Sequence, residues 1–401
     1  MKPAAEASSH GGAAVSEAGA FCPHADCGGC RYRDVPYAEQ LAIKEAAFLR
    51  ALDERGILPA ESLAIAGSPR VFAYRNKMEY SFGDENKGGP LTLGMHRRKR
   101  FMSVITTDRC RLVDEDFNRL LAAVLRFAKE RGYAAYNKKT HRGLLRNLVV
   151  RKGVRTGQLL VNLVTSSQGD IDEGALAEVV LSLALENRVV GLLHSVNDNP
   201  GDFVRGEEQR LIFGNNYYLE EIMGLSFKVS AFAFFQTNVE AAAALYETAL
   251  SWIPDIAEKT VFDLYCGAGT LAQAAAARGA GLAVGIEIVP ESVAAARENA
   301  TLNGLSNCRF LEGDVRAATE GLAERPDVIL LDPPRAGVHP KALRTICDKR
   351  AQTVVYISCN PDSLADNLAF MRGYYRVRRI RAFDNFPFTA HTEAVALLEA
   401  L

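Results

Sequence analysis

A thiol stands at the end of the run Val354-Val355-Tyr356-Ile357-Ser358-Cys359-Asn360-Pro361. Its apolar, β-branched and aromatic residues read as a buried strand that Asn-Pro stops abruptly. Cys359 therefore lies at the carboxyl edge of a sheet, where open α/β folds keep their ligands. With a lowered pKa it is a nucleophile; otherwise it is a small buried residue, as most free cysteines are. A neighbouring strand ends in Leu330-Leu331-Asp332-Pro333-Pro334-Arg335. In a doubly wound sheet these two tips lie side by side.

Upstream, Val261-Phe262-Asp263-Leu264-Tyr265-Cys266-Gly267-Ala268-Gly269-Thr270 reads as strand, glycine turn and helix. Gly267 and Gly269 let the backbone approach a ligand at the first βα crossing. Glu287 closes the next strand, at the distance from Gly267 where a carboxylate can accept hydrogen bonds from ribose hydroxyls. Position 272 is Ala, so the longer dinucleotide fingerprint is incomplete. Asp263 would repel a pyrophosphate and suits a cation. S-adenosylmethionine, with its ammonium and sulfonium, is the cofactor expected, and Asp314 is placed to reach its adenine. The alternative is an empty sheet edge whose turn needs glycine for geometry alone. Aminomethylating sites carry Asn-Pro-Pro and an aromatic residue at the fourth strand. Asp-Pro-Pro-Arg beside a cysteine points instead to carbon as the methyl acceptor.

Cys22, Cys27 and Cys30 fall in one short stretch, Cys-x4-Cys-x2-Cys, and a lone fourth, Cys110, lies far downstream. In a cytosolic protein this spacing implies a metal site, and zinc and a [4Fe–4S] cluster fit it equally. Cys266 is expected behind the cofactor loop, with Cys308 and Cys347 in the core.

These groups need elements to position them, and the 401 residues allow two or three domains. Residues 1–20, rich in Ala, Gly and Ser, read as a disordered tail without a targeting pattern. No apolar run reaches a membrane span, and a cytoplasmic location is expected. A helix is expected over 37–55. Residues 21–214 form a β-rich region, whose short β-rich runs fall from about 68 to 214 with one helix among them at 115–131. Residues 215–401 alternate Ala-rich helices with short buried strands, the pattern of a parallel doubly wound sheet.

The net charge of −1 conceals an asymmetry, because residues 61–160 hold 21 Lys and Arg against 9 Asp and Glu. Clusters at 97–100, 138–142 and 151–155 are interleaved with Phe72, Tyr74, Tyr80, Phe82, Phe101, Tyr133 and Tyr136. Positive charge with stacking surfaces suits single-stranded or irregular nucleic acid. Arg75, Asn76 and Lys77 are candidates for the same surface, or an ordinary strand edge.

From Cys22 to Leu401 the chain resembles the uracil-5 RNA methyltransferases. Five motifs carry the resemblance: Ala233-Phe234-Phe235-Gln236-Thr237-Asn238, Asp263-Leu264-Tyr265-Cys266-Gly267, Asp332-Pro333-Pro334-Arg335, Ser358-Cys359-Asn360-Pro361 and Asp384-Asn385-Phe386-Pro387-Phe388-Thr389-Ala390-His391-Thr392-Glu393. The resemblance implies a Rossmann-like class I methyltransferase domain with a seven-stranded doubly wound sheet. It makes Cys359 the nucleophile and Glu393 the base, and it lines the cofactor and uracil pocket with Gln236, Tyr265, Glu287 and Asp332. It also implies a [4Fe–4S] cluster on Cys22, Cys27, Cys30 and Cys110. RNA is the implied partner, with no obligate protein partner; 23S ribosomal RNA is favoured and a transfer RNA T-loop is the alternative. Many members carry a small N-terminal RNA-binding β-barrel, for which the short segment ahead of Cys22 leaves no room. A cytosine-C5 enzyme and an RNA-binding protein without chemistry are the remaining readings.

Overall fold

The computed structural model describes residues 22–401 except 202, 203, 205 and 207; the expected tail at 1–20 lies outside the described residues. The chain opens with α1 (Tyr37–Asp53) and β1 (Glu61–Ala66). A smaller region follows: β2 (Lys77–Asp84), β3 (Leu91–Arg97), β4 (Arg100–Thr106), α2 (Glu115–Glu130), β5 (Leu145–Gly153) and β6 (Gln158–Thr165). It continues through α3 (Glu173–Leu181), β7 (Arg188–Val196) and β8 (Glu208–Gly214). A hairpin, β9 (Tyr217–Ile222) and β10 (Leu225–Ser230), leads to α4 (Val239–Ser251), β11 (Thr260–Leu264), α5 (Thr270–Ala277) and β12 (Leu282–Glu287). Next come α6 (Pro290–Leu302), β13 (Cys308–Glu312), α7 (Val315–Gly321), β14 (Val328–Leu331) and α8 (Pro340–Asp348). The chain closes with β15 (Thr353–Ser358), α9 (Pro361–Met371), β16 (Tyr375–Phe383) and β17 (Glu393–Ala400).

The larger sheet has the order β1-β16-β17-β15-β14-β11-β12-β13. Its central strands β11, β14 and β15 are almost wholly buried and aliphatic, as parallel strands covered by helices on both faces must be. β17 runs antiparallel to both its neighbours, so the last strand is inserted against the grain of the sheet. The strand order reverses between β11 and β14, which opens a crevice at the carboxyl ends. Seven of the strands come from residues 215–401, as expected. The eighth, β1, pairs parallel with β16, and Phe48, Leu52 and Ile57 join the core beneath that sheet. Residues 37–66 thus precede the smaller region in sequence and pack with the larger one.

The smaller sheet, β4-β3-β2-β5-β6-β7-β8, is antiparallel except for β6 and β7. Their parallel pairing needs a crossover, which α3 provides beside the expected α2. Asp172 caps α3 by accepting from the amide of Ala175. Both helices pack on one face of the sheet, over Met78, Tyr80 and Phe82 of β2. Five residues of the expected nucleic-acid surface turn out to be buried: Tyr74, Tyr80, Phe82, Tyr136 and Arg151, with Tyr80 and Arg151 1% exposed or less. The Arg151 guanidinium donates to the carbonyls of Ser230, Ala231 and Ala233, fastening the smaller sheet to the segment before Gln236.

Candidate active site

Asp332, Cys359 and Glu393 follow or begin three adjacent strands at one edge of the sheet. Leu331 of β14 pairs with Tyr356 of β15, and Ser358 of β15 pairs with Ala394 of β17. Continuing the second register by one residue sets Cys359 beside Glu393. The turn after β15 is locked on both sides. Asn360 caps α9 by accepting from the amide of Asp362, Pro361 takes the first helical position, and Asn360 Nδ2 donates to the carbonyl of Arg335.

The three acids share one partly desolvated space. Burial first, then Asp332, pushes Glu393 up to about 8, while Arg335 opposes. Asp332 rises to about 6 through burial, tempered by a hydrogen bond from the Tyr246 hydroxyl. Burial, Glu393 and Asp332 push Cys359 up to about 11. In the free protein the thiol therefore lacks the lowered pKa that would make it a ready nucleophile. Two carboxylates next to a half-buried sulfur favour the neutral thiol. An arriving cation would relieve all three groups.

The segment of the first motif reaches this space by a relay. Gln236 Nε2 donates to the Tyr246 hydroxyl at 2.7 Å, and that hydroxyl donates to Asp332 Oδ2 at 3.3 Å. Tyr246 was not singled out from the sequence, because on an Ala-rich helix it reads as one more core residue. Asn76 holds the same segment, donating from its backbone and side chain to the carbonyls of Thr237 and Gln236. Of the Arg75-Asn76-Lys77 candidates, Asn76 is thus a buried tie between the two regions.

The cofactor loop has the expected form. Gly269 has φ 77°, and a Cβ there would lie 2.5 Å from the Phe310 ring, so only glycine fits. Gly267 has φ 52° with open space where a side chain would project. Glu287 accepts from the amides of Gly267 and Val289, which aims its carboxylate along the loop. Tyr265 also holds a left-handed backbone, φ 69°. Asp314 caps α7 by accepting from Ala317. Asp263 Oδ2 accepts from Ala272 in the first turn of α5, whereas buried Oδ1 has no hydrogen-bond partner among the described residues. Burial, with Asp332 and Glu287 adding, pushes Asp263 up to about 7. An acidic cradle around an open glycine turn fits a cationic nucleoside ligand.

The loop that carries Glu393 is anchored by two buried groups. Lys44 of α1, its side chain 1% exposed, pairs with Asp384 at 2.5 Å and donates to the carbonyl of Phe386. Asn238 donates to the carbonyl of Asn385 while its Oδ1 caps α4. The cysteine knot leans on the same loop. Tyr32 and Tyr74 donate to the carbonyls of Phe388 and Pro387, and Cys30 and Cys110 pack with Phe386 and Phe388.

Cys22, Cys27, Cys30 and Cys110 line one pocket with His24, Arg33 and Arg75. Burial raises Cys27 and Cys110, and burial with its fellow cysteines pushes Cys30 up to about 12. Among the described residues no three His, Cys, Asp or Glu side chains converge on a single metal ion. The four thiols around this pocket are a donor set that zinc or an iron–sulfur cluster can use. Cys266 and Cys347 are buried and Cys308 is half-buried, packing behind the cofactor loop or in the core as expected.

Numbered from β11, the seven strands that residues 215–401 give the larger sheet run 3-2-1-4-5-7-6, which with the glycine turn and acidic cradle defines a Rossmann-like class I methyltransferase. Residues 202–401 match the family model described as tRNA (uracil-5-)-methyltransferase. An uncharacterized RNA methyltransferase of Caldanaerobacter subterraneus is 44% identical over 380 residues, covering 94% of this chain and 84% of that protein. A counterpart from Clostridium acetobutylicum is 45% identical over 374 residues, 93% of this chain and 82% of its own length. The Pyrococcus abyssi tRNA (uracil-54, C5)-methyltransferase, solved with S-adenosyl-L-homocysteine, superposes with a TM-score of 0.78 at 26% identity, over 93% of this chain and 86% of that one. The chain belongs to the RNA uracil-5 methyltransferase family, as an S-adenosylmethionine-dependent enzyme acting on uracil C5. Among the described residues no helix is long and apolar enough to cross a membrane.

Proposed function

We propose that Cys359 and Glu393 methylate uracil C5 through a covalent adduct, a reading carried by their apposition next to Asp332. C5 of neutral uracil is a weak nucleophile. Addition of the Cys359 sulfur as its thiolate to C6, the thiol proton having gone to solvent, forms the S–C6 bond and moves the electron pair onto C5 and O4. S-adenosylmethionine, when bound, supplies a positive charge near the three acids and the electrophilic methyl group, which C5 takes as the methyl–sulfonium bond breaks and the neutral thioether leaves. Glu393 then takes the C5 proton, and the returning electron pair breaks the S–C6 bond, releasing 5-methyluracil and the thiolate. A base raised to about 8 is strong enough for this step and still partly ionised near neutral pH. Asp332, fixed by Tyr246, is the partner for the uracil edge, while Gln236, Tyr265, Gly267, Gly269, Glu287 and Asp314 hold the cofactor. The target base leaves its stack to reach the thiol.

Within residues 21–214 the cysteine knot and the smaller sheet serve as the RNA-binding region, and 215–401, joined by α1 and β1, as the catalytic region. The favoured target is a uridine of 23S ribosomal RNA, because the four-cysteine knot resembles that of the ribosomal branch. The likeness to the tRNA (uracil-54, C5) enzyme supports a T-loop uridine as the second reading. RNA modification is consistent with a cytoplasmic site. Nucleoside mapping of ribosomal and transfer RNA from cells lacking the gene decides between them. Loss of one ribosomal 5-methyluridine, restored by the wild type and not by Cys359→Ala, is expected. Loss from transfer RNA alone overturns the ribosomal assignment, and an unchanged profile in both overturns the reading.

Cys22, Cys27, Cys30 and Cys110 would hold a [4Fe–4S] cluster, which braces the Phe386–Phe388 loop without taking part in a redox-neutral transfer. Anaerobically purified protein should show broad visible absorbance with iron and sulfide bound. Colourless protein with one zinc would replace the cluster by a zinc site.

A further inference from the structure

A cleft of about 490 Å³ opens at the end of the smaller sheet, within the size range of small-ligand sites, roughly 300–1,000 Å³. Phe82, His96, Phe101, Tyr136 and Lys138 line it and continue into a neighbouring pocket of about 210 Å³ that adds Arg146. Phe101 is 58% exposed on β4, an unusual place for a large apolar ring. It is held upright by the His96 ring, stacked at 4.8 Å, and by Lys138 Nζ at 4.6 Å from the ring centroid. Arg146 lies 4.4 Å from the Tyr136 ring centroid and donates to the carbonyls of Asn197 and Gly201, so its charge is fixed in place. In the chain next to these lining residues, Arg98, Lys99, Arg100, Lys139 and Arg142 are exposed. The two carboxylates facing the cleft are engaged: Asp84 accepts from the amide of Gly88, and Glu79 pairs with Lys77.

We infer that this cleft binds an unstacked nucleotide of the substrate RNA, away from the methylated uridine, with its base on Phe101 and its phosphate on Lys138. The inference rests on RNA being the substrate. A flexible lysine lying over an exposed ring is an exchangeable cover: its ammonium can pass to a phosphate while the ring face passes to a base. Base–aromatic stacking tolerates any base, so the site contributes affinity and register more than sequence choice. β2 fixes its distance from the chemistry. Asn76, tied to Gln236, and Phe82, in the cleft, are six residues apart on an extended run, roughly 20 Å at about 3.3 Å per residue. The nucleotide held here therefore lies several positions along the RNA from the one in the active site. The cysteine knot sits between, since Gly28 donates to the carbonyl of His96 and Cys27 bridges Arg97.

The test is equilibrium binding of a short, labelled single-stranded RNA of mixed sequence to the full chain over a range of salt. It needs no methyl transfer, so its outcome is separate from that of the nucleoside mapping. Phe101→Leu, which keeps apolar volume and loses the ring face, should weaken binding about 5- to 150-fold, the range for one lost base stack, with the salt slope unchanged. Phe101→Trp should restore it. Lys138→Ala should make the salt slope shallower by about one. Binding by Phe101→Leu within twofold of the wild type, or a loss that disappears at high salt, overturns the proposal.

Discussion

Cys359 and Glu393 neighbour each other because β17 returns antiparallel to β15 with Ala394 opposite Ser358. The nucleophile and the base are thus placed by one strand register, although the whole of α9 and β16 lies between them in the chain. Their proximity raises both acids, and this sets how the thiol behaves before substrate arrives.

In the free enzyme Cys359 should react slowly with iodoacetamide at neutral pH. A pKa of about 11 leaves roughly one thiol in ten thousand ionised at pH 7. The labelling rate should climb about tenfold per pH unit between pH 8 and 10. Glu393→Gln and Asp332→Asn should raise it in that range, and S-adenosylmethionine should raise it more than S-adenosylhomocysteine, which lacks the sulfonium charge. A rate already level by pH 8 would show a thiol activated without these partners.

Glu393 is held neutral at a cost to stability. Its pKa is raised from 4.5 to about 8, so the folded state keeps a proton that the unfolded state releases. Unfolding free energy must therefore fall as pH rises from about 4.5 to about 8. Glu393→Gln should melt higher than the wild type at pH 8, with the gap closing toward pH 4.5. Parallel melting curves across that window would mean that the carboxyl is not desolvated.

Tyr246→Phe removes the hydroxyl between Gln236 and Asp332 and leaves the ring in place. Loss of a hydrogen bond to a charged group, about 1.5–3 kcal/mol, corresponds to a drop in kcat/KM of roughly 10- to 150-fold. The same bond is made in the free protein, so the melting temperature should fall as well, and kcat/KM is compared where both proteins are folded. A kcat/KM within twofold of the wild type would remove Tyr246 from the site.

Lys44→Met leaves Asp384 buried without its cation, which should cost about 3–5 kcal/mol and loosen the loop bearing Glu393. The double variant Lys44→Met, Asp384→Leu should recover much of that stability, since well-packed apolar pairs often replace buried ion pairs. Equal melting temperatures of the single variant and the wild type would contradict the role given to this pair.

What the sequence disclosed was local. Cys359, Asp332, Gly267, Gly269 and Glu287 each end a buried strand or form its turn, so a short window reveals both residue type and position. The hidden parts depend on distant partners. Lys44 meets Asp384 across 340 residues and otherwise reads as a surface lysine. β1 gains its place only through β16, and α3 only through the parallel pairing it connects. The basic clusters misled in part, because charge count does not distinguish exposed Arg98 from Arg151 buried on three carbonyls. The thiol's pKa could not be read at all, since it is set first by burial and then by two carboxylates from other strands.

The central claim, a covalent bond from Cys359 to C6 checked by proton removal at C5, is tested most directly by intact mass after incubation with S-adenosylmethionine and 5-fluorouridine-substituted substrate RNA. Fluorine cannot leave as a proton, so Glu393 cannot complete the reaction and the methylated adduct should accumulate on Cys359. A stable protein–RNA species is predicted in the wild type, one that Cys359→Ser does not form. Turnover without an adduct, or the same adduct in Cys359→Ser, would contradict it.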